Sequence, residues 1–221
     1  MKSDPITDIR AIEILDNRGN PTIRSYVTID NRFVGIADVP SGSSTGSFEA
    51  KELRDGEKRY NGMGVKTAIG NIENIIKPAL MGVHGANQRN IDYLLNELDG
   101  TKDKSKLGGN AILAVSMAVA KAAAKWCRLP LYRYLNAGAH VLPVPQACLI
   151  NGGLHAGNDL DIQEYCVMPV GAKSFTHAVQ ILSEIFRELG EILLHSMGKN
   201  ATNSSEDGGF APPLDNSFAA M

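Results

Sequence analysis

Apolar and polar positions alternate over the first forty residues in a way that predicts three strands. Ile6 to Leu15 and Thr22 to Ile29 are separated by the turn cluster Asp-Asn-Arg-Gly-Asn-Pro, and the second run has a period of two. A further turn at Asp30-Asn31 leads into Phe33 to Ala37. Consecutive strands joined by short turns usually pair with each other, so the pattern predicts a three-stranded antiparallel meander.

After Gly64 the spacing of apolar side chains becomes helical. The pattern predicts four helical segments: Val65 to Pro78, Ile91 to Leu98, the alanine-rich Asn110 to Trp126, and the short Leu131 to Leu135. A meander followed by a group of helices is an α+β arrangement.

A domain boundary is predicted between Gly138 and Leu142, where two prolines stiffen the entry to a new apolar strand. It divides the chain into residues 1–138 and residues 139–221. The second part is predicted to contain strands at Val144 to Ile150 and Ile162 to Met168. A long helix capped by Ser174 is expected to run to about Lys199.

The densest polar chemistry lies between Ile150 and Pro169. A double glycine, which lets backbone approach a ligand closely, is followed within ten positions by His155, Asp159, Asp161, Gln163 and Glu164. Polar groups beside a glycine loop at a strand end are typical of reacting groups in α/β enzymes. The alternative is a turn in which these side chains only cap local backbone groups.

A polar loop, Val39 to Ser47, contains almost nothing that could anchor it by packing. Its hydroxyl and free N–H groups suit a phosphate or a hydrated cation, which predicts a loop fastened by a ligand. A plain flexible linker has the same composition and is the alternative.

Composition narrows the class of protein. A net charge of −2 without a basic stripe argues against a nucleic-acid partner, and 43% apolar residues favour a folded chain. No apolar run is long enough to span a bilayer, so no membrane association is expected. Cys127, Cys148 and Cys166 lack metal-ligand spacing, which predicts buried reduced thiols and a cytoplasmic protein.

Five ordered blocks of sequence resemble the enolase family. They are EILDNRGNPT (13–22), VPSGSSTGSFEAKELRDG (39–56), LDGTKDKSKLGGNAILAVSMAVAKAAA (98–124), PLYRYL (130–135), and INGGLHAGN with QEY (150–165). The resemblance implies an α+β capping domain at 1–138, followed at 139–221 by the first part of an α/β (TIM-like) barrel. That agrees with the two-part organisation predicted from the patterns.

The resemblance also implies a reaction, the reversible dehydration of 2-phosphoglycerate to phosphoenolpyruvate in glycolysis, with Mg²⁺ as cofactor. In this family a lysine base removes a carbon-bound proton beside a carboxylate, and metal ions stabilise the highly charged enolate that results. An acid then assists the departure of hydroxide.

Matching the motifs residue by residue gives the expected site. Ser44 is expected to bind magnesium, while Gly42 and Ser43 lie in the part of the loop that closes over substrate. The resemblance places His155 and Gln163 on the substrate and gives Glu164 the role of assisting hydroxide departure.

The chain departs from the family pattern at two places. SEDGG stands at 205–209 where the family has GDEGG, so the second acid position holds Asp207 and Glu206 precedes it. An acid displaced by about 1 Å can cost on the order of a hundredfold in rate. Arg24 stands where the family usually has an acidic residue taking part in subunit pairing.

About 80 residues follow the predicted boundary, whereas a closed barrel takes about 250. The 221 residues alone are therefore expected to be inactive, because the family's other metal ligands and its lysine base are not among them. The alternative is a non-catalytic enolase-like domain that pairs with a separate chain or acts only as a binding partner. A homo-oligomer or a complementing chain is expected in either case.

Overall fold

In the computed structural model, which describes residues 4–42 and 44–221 apart from the side chain of His155, the three predicted strands form one antiparallel sheet. They are β1 (Ile6–Leu15), β2 (Pro21–Ile29) and β3 (Phe33–Asp38), with β2 in the centre. The predicted meander is confirmed.

The first helical segment is irregular. It comprises α1 (Lys66–Asn71), a π-helical stretch (Ile72–Ile76) and α2 (Lys77–Leu80). The prediction that it ends at Pro78 is wrong, because this proline lies in the first turn of α2, where a missing N–H is tolerated. The wider π turn also changes which side chains face the core, and Ile75 is 36% exposed.

The remaining helices of the first part match the predicted segments. They are α3 (Gln88–Asp99), α4 (Gly109–Trp126) and α5 (Leu131–Leu135). Helix α4 packs on β2 and β3, and its alanines, Ala118 among them, lie in the core with Ile23 and Val27. Small side chains let the helix approach the sheet closely, as its alanine-rich sequence suggests.

Asp99 is the last residue of α3 and is almost fully buried. Its carboxylate accepts hydrogen bonds from the backbone N–H groups of Leu107 (2.7 Å) and Thr101 (2.9 Å), and from the Thr101 hydroxyl. Burial by itself would raise the pKa of Asp99, but these hydrogen bonds to the charged form outweigh it and the pKa is lowered.

We expect Asp99→Asn to lower the free energy of unfolding by about 2 kcal/mol at neutral pH, because the amide places a donor against backbone donors. A lowered carboxyl pKa contributes stability that is present above the unfolded pKa and lost as the pH falls through the folded value. The difference in free energy of unfolding between Asp99→Asn and the wild type should therefore become smaller below about pH 4. Urea unfolding across this range measures it, with exposed Glu97→Gln as the matched control; an Asp99→Asn effect that does not change with pH would contradict the account.

The chain divides into two compact units, Met1–Ala139 and His140–Met221. The second begins its regular structure with β4 (Ala147–Asn151) and β5 (Glu164–Val167), which pair antiparallel. Both are shorter than predicted. Strand β4 starts only after Pro145, which has no N–H to donate to a ladder.

A bulge interrupts the pairing of β4 with β5. Cys148 lies opposite Cys166 and Ile150 opposite Tyr165, so Leu149 is the extra residue. Because side chains alternate between faces, the bulge brings Asn151 to the face that carries Cys148, opposite Glu164.

Helix α6 (Phe175–Met197) begins at Ser174, whose hydroxyl accepts from the backbone N–H of His177 (3.1 Å). It ends at Met197, two residues before the predicted Lys199, and the residue that follows, Gly198, has a positive φ of 83°, which suits a glycine. After it the chain forms a parallel bridge to β4 through Phe210, and the Phe210 ring stacks on Phe186 of α6 at 4.4 Å. A second strand position thus lies beside β4, parallel to it.

A short helix, α7 (Ser217–Ala220), follows. The three cysteines are free, but the prediction that they are buried is wrong, because each is only partly buried. Within the part of the chain that the structure describes, no helix combines the length and apolarity needed to cross a bilayer.

Candidate active site

Asn151, the last residue of β4, is the centre of the candidate site in the second unit. It is fully buried, and its side-chain oxygen accepts from the Ser205 hydroxyl (2.5 Å) and the Gly209 N–H (3.0 Å). Its side-chain nitrogen donates to the Gln163 carbonyl (3.3 Å) and to Cys148 Sγ (3.1 Å). One amide therefore joins the 205–209 loop to the start of β5.

The loop that carries Glu206 and Asp207 is a tight turn. Its ends are closed by the Ser205 N–H to the Gly209 carbonyl (2.9 Å) and by the Gly208 N–H to the Ser205 carbonyl (3.2 Å). The Asp207 N–H donates to the Ser205 hydroxyl at 3.2 Å. With the backbone held in this way, Glu206 and Asp207 are both exposed to solvent.

Glu164 and Gln163 lie at the other side of Asn151. Glu164 is the register partner of Asn151, and the Gln163 carbonyl accepts from the Gly152 N–H at 2.9 Å. Both side chains are exposed. The structure thus brings Gln163, Glu164 and the loop of Glu206 and Asp207 to the same strand end.

The double glycine after Asn151 has a structural reason within this unit. A Cβ on Gly152 would lie 2.4 Å from the Ile162 carbonyl oxygen and 2.5 Å from Leu160 Cβ. Gly153 has a positive φ of 67°, which other residues rarely adopt. The sequence suggested that a ligand could approach the backbone here, but the space beside Gly152 is filled by other residues of the same chain.

His155 lies in the 3₁₀ turn Gly153–His155, and its side chain falls outside what the structure describes. The turn follows β4 directly, so the backbone of His155 belongs to the same strand end as Asn151.

The serine loop of the first unit is anchored at Ser41. Arg54 donates to the Ser41 hydroxyl (2.8 Å) and to the carbonyls of Pro21 (2.5 Å) and Met63 (2.8 Å), and Arg18 donates to the Ser41 carbonyl (2.7 Å). These contacts fix the loop up to Ser41.

The described residues of the loop after Ser41 are exposed to solvent. Gly42 and Ser44 are exposed, and Ser43 lies outside the described residues. A cavity of about 370 Å³ follows the loop, lined in part by oxygen-bearing side chains: Ser41, Ser44, Thr45, Glu49 and Glu52. Hard cations such as Mg²⁺ prefer oxygen ligands, so this set of donors fits the expected metal. The predicted site residues of the serine loop belong to the first unit, and those of the strand end and the SEDGG loop belong to the second: His155, Gln163, Glu164, Glu206 and Asp207.

Comparison with known families gives two matches that together span most of the chain. A family model described as "Enolase, N-terminal domain" matches residues 6–135, and one described as "Enolase, C-terminal TIM barrel domain" matches residues 139–221. The chain belongs to the enolase family.

Curated relatives named "Enolase" agree with this assignment. The protein of Methanocaldococcus jannaschii is 52% identical over 217 residues, which cover 98% of this chain and 51% of that protein. The protein of Pyrococcus furiosus is 55% identical over 210 residues, covering 95% and 49%. The chain therefore spans about half the length of the curated enolases that it matches.

The enolase motifs contain two residues that the sequence reasoning missed. Asn151 lies within INGG, and Arg54 within ELRDG, yet neither was assigned a role. Their hydrogen bonds reach residues far along the chain, Ser205 for Asn151 and Pro21 for Arg54, so local spacing gave no signal.

Proposed function

We propose that this protein catalyses the enolase reaction, the reversible dehydration of 2-phosphoglycerate to phosphoenolpyruvate. Membership of the enolase family supports the reaction. The observation in the structure that carries the proposal is the arrangement around Asn151, which holds the loop of Glu206 and Asp207 beside the strand end of Glu164. Two carboxylate-bearing segments at one strand end suit proton transfer to a departing hydroxide.

In this proposal Glu164 assists the departure of hydroxide, and either Glu206 or Asp207 supplies the second acid. All three carboxylates are exposed in this unit, so a substrate has access to them. Gln163 and His155, which belong to the same strand end, would bind substrate there.

Gly42 and Ser43 would close over the substrate as part of a lid. The support is that the loop is fastened at Ser41 and exposed at Gly42 and Ser44. A lid that folds over the substrate excludes water from the reacting groups and completes their arrangement.

Ser44 would bind Mg²⁺ through its hydroxyl and carbonyl oxygens. When bound, the ion supplies positive charge that stabilises the anionic intermediate. The chain's own part is to present these oxygens from a loop whose base is held by Arg54.

The proposed domains are a capping domain at 1–138 and the first part of the barrel at 139–221, and the proposed compartment is the cytoplasm. A homo-oligomer or a complementing chain is the proposed assembly. Arg24 forms a two-pronged ion pair with Asp38 of its own chain, with both contacts at 2.6 Å. Arg24 is therefore paired within its own sheet, at a position where the family usually has an acidic residue that takes part in subunit pairing.

A chimera tests the proposal. Residues 1–221 would be joined to the remaining half of the Pyrococcus furiosus enolase, and phosphoenolpyruvate formation would be followed by absorbance after addition of 2-phosphoglycerate and Mg²⁺. We expect turnover by the chimera and none by the 221 residues alone. A chimera that melts cooperatively but is inactive would instead favour the non-catalytic alternative.

The same chimera tests which acid acts at the SEDGG loop. Exchanging the two residues, Glu206→Asp with Asp207→Glu, gives the order found in the family and lengthens the second acid by one methylene. We expect kcat to rise by up to about a hundredfold, since a misplacement of about 1 Å costs that much. A lower kcat would assign the role to Glu206, because the exchange shortens that side chain, and an unchanged kcat would show that the length of neither side chain limits the rate; Glu164→Gln serves as the inactive reference.

A further inference from the structure

The pairing of β4 with β5 brings together three potential metal ligands that are far apart in the sequence. Cys148 and Cys166 are direct register partners, and Glu164 lies two residues before Cys166 on the same face of the strand. Their ligand atoms, two sulfurs and one carboxylate oxygen, all lie within 4.8 Å of one another. The spacing of these cysteines along the sequence gave no sign of this cluster, because the pairing of β4 with β5 is what brings two of the three together.

We infer that Cys148, Cys166 and Glu164 form a binding site for a thiophilic divalent cation such as Zn²⁺. In tetrahedral zinc sites the Zn–S distance is about 2.3 Å, so two sulfur ligands are about 3.8 Å apart. The three groups need to close by only about 1 Å, which side-chain rotation supplies. A water molecule would complete the four ligands.

The surroundings of the cluster fit this cation rather than magnesium. Sulfur ligands select soft ions, whereas Mg²⁺ prefers oxygen. The Asn151 side-chain nitrogen donates to Cys148 Sγ at 3.1 Å, and such a donor stabilises a thiolate and orients it. Glu164 is exposed and offers a path of entry, while the two cysteines are partly buried.

Binding would be accompanied by loss of two protons. Each Cys S–H bond gives its proton to the buffer as a Zn–S bond forms, and the carboxylate of Glu164 binds in its ionised form. Burial, followed by the proximity of Cys166 and Glu164, raises the pKa of Cys148 to about 11. The free thiol is thus neutral at pH 7, and a dication would compensate the negative charge that collects when the cluster ionises.

This site shares Glu164 with the proposed dehydration but can be tested separately from it. A cation held here would occupy the carboxylate of Glu164, so its binding would compete with that residue's proposed role. Binding by the 221-residue chain needs no turnover, and its failure would leave the proposed reaction untouched.

The first test uses the unaltered chain in a reducing buffer containing a phosphine. Iodoacetamide alkylation is followed residue by residue by mass spectrometry, with Zn²⁺, with excess Mg²⁺ and with no metal. We expect Zn²⁺ to slow alkylation of Cys148 and Cys166 at least about tenfold. Cys127, the free thiol of the other unit, is the internal control and should be unaffected. Rates at Cys148 and Cys166 that are the same with and without Zn²⁺ would overturn the inference.

A second test replaces the ligands. Co²⁺ bound by thiolates gives a charge-transfer band in the near ultraviolet, and we expect one Co²⁺ for each chain. Cys148→Ser and Cys166→Ser should each remove the band or weaken binding at least about tenfold, and Cys127→Ser should match the wild type. Glu164→Gln should keep the band but weaken binding, so binding by this variant at wild-type strength would exclude the three-ligand site. Recovery of Cys148 and Cys166 as a disulfide under these conditions would also refute it.

Discussion

Asn151→Ala is expected to lower the free energy of unfolding of the second unit by about 3 kcal/mol. The substitution removes the acceptor of the Gly209 N–H and the Ser205 hydroxyl, and also the donor to the Gln163 carbonyl. Leaving a buried polar group without a partner costs about 1–3 kcal/mol, and a small cavity adds to this. Chemical denaturation followed by circular dichroism measures the change.

In Asn151→Ala the 205–209 loop is also expected to become more mobile. Hydrogen exchange at the Gly209 amide should accelerate, because its acceptor is gone. In the chimera, kcat should fall by on the order of a hundredfold as Glu206 and Asp207 lose their position. Asn200→Ala, at an exposed asparagine on the turn after α6, is the matched control and should change neither quantity. Unaltered exchange at Gly209 in Asn151→Ala would show that the amide does not hold the loop.

Gly35→Ala is expected to destabilise the first unit by about 3 kcal/mol or more. A Cβ at this position would lie 2.0 Å from the Ala118 carbonyl oxygen and 2.4 Å from the Ala122 nitrogen, both in the backbone of α4. Backbone cannot rotate aside as a flexible side chain does, so α4 would have to move away from β3. Overpacking of this kind typically costs about 1–3 kcal/mol and sometimes more.

A second glycine gives a control of opposite sign. Gly70 lies within α1, and a Cβ there would meet only the Asn74 side-chain nitrogen, at 3.9 Å. Gly70→Ala should therefore raise the free energy of unfolding by about 0.5–1 kcal/mol, because alanine restricts the unfolded chain and favours helix. Urea unfolding of both variants measures the two changes in free energy of unfolding, and equal stabilities would show that α4 does not pack directly against Gly35.

Much of the fold was predictable because its signals are local. The period of two in β1 to β3, the turn at Asp30-Asn31 and the serine cap of α6 each depend on neighbouring residues, and the structure contains all of them. The bounds of the strands around the double glycine were predicted less accurately. Their ends depend on Pro145, which the sequence shows, and on which residues of β4 pair with β5, which the sequence does not show.

The candidate site was predictable only in its parts. The residues Gln163, Glu164, Glu206 and Asp207 could be picked out from motifs, but not the amide that joins them, since Asn151 and Ser205 are 54 positions apart. The opposition of Cys148 and Cys166 was hidden for the same reason. It arises from the strand register, which no spacing along the chain reveals.

The extra residue at Leu149 limits how this part of the chain can change during evolution. If β4 paired with β5 in regular alternation without an extra residue, Asn151, three positions after Cys148, would lie on the opposite face of the strand pair, away from Cys148. The Ser205 hydroxyl and the Gly209 amide would then face no partner. Insertion of one residue should therefore be tolerated at Gly171, where the turn is open, and be selected against between Tyr165 and Cys166, where an added residue would give Leu149 a partner and restore the alternation.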